Sequence, residues 1–269
     1  MSFYKFGFIG AGNMGGALAR AVTLTEDPQN VVIADNDTVK ANALADEIKC
    51  AVSDSKTVAK SAKYIFLGVK PQVMASVLEE IKPCLESRND RFVLVTMAAG
   101  ISIESLCNMA GKDYPVIRIM PNTPVSRGKG MILYTFSENT EKEEADEFCA
   151  ALEKAGKLDY IDESLIDAAS VVSGCGPAFV YMFAEGMALA ASELGVDSQK
   201  AILYASQTLA GAAELLMTSS KTPETLINEV CSPGGSTIEG VKTFRNNDLY
   251  GTISKALNAS YKRTKELGK

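Results

Sequence analysis

Residues 6–15 read Phe6-Gly7-Phe8-Ile9-Gly10-Ala11-Gly12-Asn13-Met14-Gly15, an apolar strand running straight into a Gly-x-Gly-x-x-Gly turn that opens a helix. Each glycine has its own reason to be there. Gly10 permits a tight turn, Gly12 lets the backbone approach a pyrophosphate, and Gly15 allows close helix–strand contact. The helix that follows offers free N–H groups and the positive end of its dipole to an anion. A second apolar run, Val31 to Ala34, ends at Asp35, about 20 residues past Gly15, where a carboxylate accepts hydrogen bonds from an adenosine ribose. A glycine-rich turn beside a solvated aspartate is the plain alternative. The strand–turn–helix setting favours a dinucleotide site.

Outward from this stretch, strands and helices alternate. Tyr64 to Val69, Phe92 to Val95, Val116 to Met120 and Gly130 to Thr135 read as further strands. Met14 to Thr23, Thr38 to Ile48 and Val73 to Ile81 read as the helices between them. This alternation predicts an α/β fold with a doubly wound, mostly parallel sheet covered on both faces. After Asp162 the pattern changes. Ser164 to Leu194 is apolar on most sides, Ala201 to Met217 and Leu249 to Leu267 are helical, and no strand is convincing. The expected division is therefore an α/β domain over residues 1–162 and an all-helical one over 163–269. A helix apolar all round must be covered, and about a hundred residues barely suffice, so a second protomer is expected against it.

Composition removes whole classes of function. The 269 residues include no histidine, which excludes Ser-His-Asp and Cys-His nucleophile systems and histidine-ligated metals. No metal site is expected. The net charge of −6 has no basic stripe for a phosphate backbone, so nucleic acid is not an expected partner. Six cysteines lie scattered without CxxC spacing and read as reduced thiols of a cytoplasmic protein. The opening residues lead into a strand and carry no leader pattern. The most apolar stretch, Val171 to Leu189, contains Gly174, Gly176, Pro177, Glu185 and Gly186 and reads as a buried helix, not a membrane span.

Other candidate site residues sit where parallel strands should end. These are Val69-Lys70-Pro71 after the third strand, Met97-Ala98-Ala99-Gly100 after the fourth, and Met120-Pro121-Asn122-Thr123-Pro124 after the fifth. Small residues at Ala98, Ala99 and Gly100 leave room for a flat cofactor. A lone Lys70 is an ordinary exposed lysine; three such strand ends together read as a site. In the helical half, Ser232-Pro233-Gly234-Gly235-Ser236-Thr237 feeds a short helix and forms a second anion-binding nest. An N-capped helix after a loop explains that spacing equally well.

The motifs at 7–15, 69–71 and 98–100, together with Met-Pro-Asn-Thr-Pro at 120–124, Ser-Gly-Cys-Gly-Pro-Ala at 173–178 and Ser-Pro-Gly-Gly-Ser-Thr-Ile-Glu at 232–239, resemble the pyrroline-5-carboxylate reductases over essentially the whole chain. The resemblance implies a Rossmann domain, a helical dimerisation domain, and a homodimer often assembled into rings of dimers. It implies hydride transfer from NAD(P)H to the C=N carbon of 1-pyrroline-5-carboxylate, giving L-proline. By position, Ile9, Gly10, Ala11, Gly12, Asn13, Met14, Gly15, Asp35, Ser55, Val69, Lys70, Pro71, Ala98 and Ala99 would bind cofactor. Glu163, Ser232, Gly234, Gly235, Ser236 and Thr237 would line the substrate site, with Thr237 beside the ring nitrogen as the catalytic hydroxyl.

There are departures from the family pattern. Ala34-Asp35-Asn36-Asp37 is acidic where members preferring NADPH usually are not, and it points to NADH. Ser55 replaces a common asparagine, and Cys175 a common serine. The chemistry suits a chain without histidine, because a protonated cyclic imine accepts hydride without a strong general acid, and positioning removes much of the barrier. Two other readings are weighed against this one. A related two-domain dehydrogenase acting on another small imino, oxo or hydroxy acid needs a lysine proton donor, which Lys200, Lys221 and Lys242 do not supply because they sit in polar, surface-like contexts. A non-catalytic dinucleotide sensor needs no second anion nest such as Ser232 to Thr237.

Overall fold

The computed structural model describes residues 3–267. Its first strand, β1 (Tyr4–Ile9), lies inside an eight-stranded sheet. On one side stand β2 (Val31–Ala34) and β3 (Ala51–Val52). On the other stand β4 (Ala62–Leu67), β5 (Val93–Thr96), β6 (Val116–Met120), β7 (Gly130–Phe136) and β8 (Gly156–Tyr160). The spatial order is β3-β2-β1-β4-β5-β6-β7-β8, and every neighbouring pair is parallel except β6–β7.

The inner strands are buried on both faces, which is why they read as continuous apolar runs. Alternation sorts their side chains. Phe6, Phe8, Tyr64, Phe66 and Phe148 build the core on one face, with the Phe8 and Phe66 rings stacked 4.4 Å apart. Val32, Ile65, Leu67, Met74, Leu78 and Leu94 fill the other. Fully burying each such side chain contributes roughly 1.5–3 kcal/mol.

Around the sheet run α1 (Asn13–Val22), α2 (Thr38–Ile48), α3 (Ser55–Ser61), α4 (Pro71–Glu86), α5 (Ile103–Ala110), α6 (Lys142–Ala151) and α7 (Glu163–Ser173). The remaining helices are α8 (Gly176–Glu193), α9 (Ser198–Thr218), α10 (Pro223–Val230), α11 (Ser236–Asn246) and α12 (Leu249–Leu267). Beyond residue 162 the described chain holds no strand. The long apolar segment has the length and hydropathy of a membrane span by composition alone, yet it breaks at Gly174-Cys175 into two helices.

The chain falls into two compact units: one built from residues up to Cys175 with those from Ser260 onward, the other from Gly176 to Ala259. The change of sequence pattern at residue 162 comes one helix earlier than this division. α7 belongs with the sheet because it packs on β7 and its Asp167 pairs with Arg118 of β6, an Nη2–Oδ1 distance of 2.5 Å. In the second unit α8 packs on α9 through small residues, with Ala184, Ala188, Ala201 and Ala205 buried. The other sides of α8 are open within one chain, where Tyr181, Met182 and Leu189 are all more than 60% exposed, the surface expected to meet a second protomer.

Candidate active site

Register sets the edge on which the candidate residues gather. Ile9 pairs with both Ala34 and Leu67, so β1, β2 and β4 end level. Two backbone bonds join the loops just beyond: Gly10 N–H donates to Ala34 O, and Gly68 N–H to Ile9 O, both at 2.8 Å. Gly10 has φ +106°, and a Cβ there would lie 2.6 Å from the Gly68 carbonyl oxygen. A Cβ on Gly15 would overlap the Gly10 carbonyl. These two glycines therefore serve the protein's own packing. Gly12 does not, since a Cβ there meets nothing within 4 Å. It is the N-cap of α1, without a side-chain cap and with no acidic residue in the first turn. An open space in front of uncapped helix N–H groups fits the pyrophosphate of a dinucleotide.

The neighbouring loop is built the opposite way. Half-buried Asp35 accepts from Ala11 N–H with Oδ2 (2.6 Å) and from Asp37 N–H with Oδ1 (2.8 Å). Asp37 caps α2 by accepting from Lys40 N–H at 3.2 Å. The Lys40 ammonium, 3.0 Å from Asp37 Oδ2, holds that carboxyl below the usual carboxylate range.

Ser55 opens α3 just past β3, behind its cap Asp54. Half-buried Val69 leads to exposed Lys70, the N-cap of α4, and to Pro71 at its first position. Among the described residues Lys70 has no ion-pair partner. Ala98 is buried and Ala99 half-buried, before a turn at Gly100 with φ +78°.

Glu163 opens α7 in the same unit. Its Oε1 accepts from Ile103 N–H at the start of α5 (2.7 Å) and from Arg118 Nη1 (3.2 Å). Arg118 also holds Asp167, whose other oxygen lies 3.2 Å from Lys265. Arg118 is 3% exposed as a side chain and its Nε has no partner among the described residues. Together with Gly100, Ser102 and Ser164 these four charged residues line a cavity of about 420 Å³. A single arginine inside the apolar run Val-Ile-Arg-Ile-Met is the signal in the sequence for this cluster.

The second nest lies in the other unit. Gly234 turns at φ +70°, Gly235 N–H donates to Ser232 O (3.0 Å), and Gly235 is the N-cap of α11, again without a side-chain cap. Ser232, Ser236 and Thr237 are exposed, and the Thr237 hydroxyl has no hydrogen-bond partner among the described residues. Thr237 is thus neither the cap nor a packed residue. Of the lysines a dehydrogenase would need, Lys221 and Lys242 are tied to Glu229 and Glu239 at the surface, and Lys200 is exposed. Among the described residues no group of three or more cysteine and carboxylate side chains is placed to hold a metal.

Comparison with known proteins adds to this geometry. Residues 5–100 match the model of the NADP oxidoreductase, coenzyme F420-dependent family, and residues 163–267 that of pyrroline-5-carboxylate reductase dimerisation. A pyrroline-5-carboxylate reductase of Aquifex aeolicus is 34% identical over 98% of this chain and 97% of its own. The chain belongs to the pyrroline-5-carboxylate reductase family. The Escherichia coli pyrroline-5-carboxylate reductase is 32% identical over 98% of each chain. Among solved structures, a Plasmodium falciparum pyrroline carboxylate reductase with NADP bound superposes with TM-score 0.88 at 29% identity, and a Coxiella burnetii pyrroline-5-carboxylate reductase with 0.90 at 27%, each over the full length of both chains. As a member of this reductase family the chain is an NAD(P)-dependent oxidoreductase, and residues 163–267 match its dimerisation region.

Proposed function

We propose that the chain reduces 1-pyrroline-5-carboxylate to L-proline, the last step of proline biosynthesis, in the cytoplasm. The full-length match to pyrroline-5-carboxylate reductases carries this reading. When bound, the reduced nicotinamide supplies the hydride. The chain supplies position. Residues 9–15, with Asp35, Ser55, Val69 to Pro71, Ala98 and Ala99, hold the dinucleotide along the carboxyl edge of the sheet. The uncapped turn at Gly234 to Ser236 offers N–H donors to the substrate carboxylate, supported by the Ser232 hydroxyl. The Thr237 hydroxyl, which has no partner among the described residues, hydrogen-bonds the ring nitrogen as it changes from imine to amine. Glu163 keeps one carboxylate oxygen in the α5 and Arg118 contacts, and the other, without a partner among the described residues, is offered to a ligand. The working species is a homodimer or a ring of dimers, with neither nucleic acid nor membrane as partner.

The test is the product. Incubation with pyrroline-5-carboxylate and a reduced nicotinamide should yield L-proline, identified by chiral chromatography. Consumption of the imine into any other product, or no consumption at all, would refute the assignment.

A further inference from the structure

Two helix N-termini stand side by side at the ends of adjacent strands β1 and β2, and they are finished in opposite ways. α1 starts uncapped, with no acid in its first turn. α2 starts on the carboxylate of Asp37. From this contrast we infer that the β2–α2 loop, Asp35 to Asp37, makes the adenosine end of the site selective for a free ribose 2′-hydroxyl, so that NADH and not NADPH is the preferred reductant. The inference rests on the reading of the first unit as a dinucleotide site.

A 2′-phosphate needs cationic side chains or unused N–H donors where β2 ends. The cationic side chains and two of the N–H donors there are already engaged. At the head of α2 the Lys40 N–H goes to Asp37. The one lysine in the first turn, Lys40, is paired with the same carboxylate at 3.0 Å. Arg20, reaching from α1, is bonded twice to Glu47 of α2, at 2.7 and 2.6 Å. The Ala11 N–H of the glycine loop is held by Asp35. What the loop presents instead is two carboxylates. Asp35 is fixed by N–H donors on both of its oxygens, so it cannot turn away from a phosphate at low cost. Carboxylates repel a doubly charged phosphate and accept from a hydroxyl, which is the sense of discrimination inferred here.

The experiment is equilibrium binding without substrate, titrating the full-length protein with NADH and with NADPH and following nicotinamide fluorescence. NADH should bind at least about tenfold more tightly at low ionic strength, and the ratio should shrink with added salt because exposed charges are screened. Asp37→Asn keeps a good helix cap and removes one charge; Asp35→Asn keeps an acceptor for Ala11 and removes the other. Each should narrow the ratio by several fold, mainly by tightening NADPH, with melting temperature followed alongside. NADPH binding as tightly as NADH, or more tightly, in the native protein overturns the inference and leaves the dinucleotide site standing. If neither cofactor binds, the dinucleotide reading itself fails.

Discussion

A methyl group added at Gly12 enters open space, whereas one added at Gly15 overlaps the Gly10 carbonyl. The two glycines of one motif should therefore fail differently. Gly12→Ala should cost less than about 1 kcal/mol of stability, the scale of an N-cap change, while weakening NAD(P)H binding at least tenfold. Gly15→Ala should lose about 1–3 kcal/mol, because overpacking outweighs the roughly 1 kcal/mol gain in helix propensity. Paired melting and cofactor titration distinguish them, and equal melting temperatures would contradict the assignment. Thr237 can be separated from a structural role in the same way. Its hydroxyl has no hydrogen-bond partner among the described residues, so Thr237→Ala should leave melting unchanged. Losing a hydrogen bond to a charged substrate should lower kcat/KM by about ten- to a hundredfold, at roughly 1.5–3 kcal/mol. Unchanged kinetics would remove Thr237 from the mechanism.

Among the elements, β6 and α7 show what sequence reading reached and what it missed. The inner strands were legible because burial on both faces leaves an unbroken apolar run, as in Val31 to Ala34 and Val116 to Met120. β8 was not, because Gly-Lys-Leu-Asp-Tyr is a polar edge strand whose pairing with β7 supplies what its side chains do not. Two-residue β3 was missed because it is held by Val32 and Ile33, not by any pattern of its own. The ends of β1, β2 and β4 were legible as site positions, since parallel strands must share an edge. The bond from Ala11 to Asp35 was not, because it depends on how two loops meet. The buried pair was hidden too: nothing local in Arg118 and Asp167 announces that they meet, or that the exposed Lys265 joins them from a separate element. Arg118→Met should strip Asp167 of its best partner and destabilise the protein by about 3 kcal/mol, the lower end for breaking a buried pair, since Lys265 remains. Adding Asp167→Leu should recover much of the loss. Denaturant unfolding of the single and double variants checks this, and additive losses would show that the pair is not coupled.

In the molecule as a whole, large exposed apolar side chains gather on α8 and α9. Tyr181, Met182, Leu189, Leu203 and Met217 are each more than 60% exposed in one chain, an apolar surface that a soluble monomer rarely carries. The dimerisation region matched over residues 163–267 covers both helices. Light scattering should give a dimer or a multiple of it at micromolar concentration, and Met182→Glu with Leu189→Glu should shift the mass downward. A native protein that is monomeric and active would contradict the expected interface. The chemistry is tested by the rate at which the purified protein oxidises NADH and NADPH, followed by absorbance, with pyrroline-5-carboxylate against a panel of 2-oxo acids. Rapid oxidation with the cyclic imine and background rates with every oxo acid is the predicted result. Turnover of an oxo acid at a comparable or higher rate, or none with the imine, would contradict it.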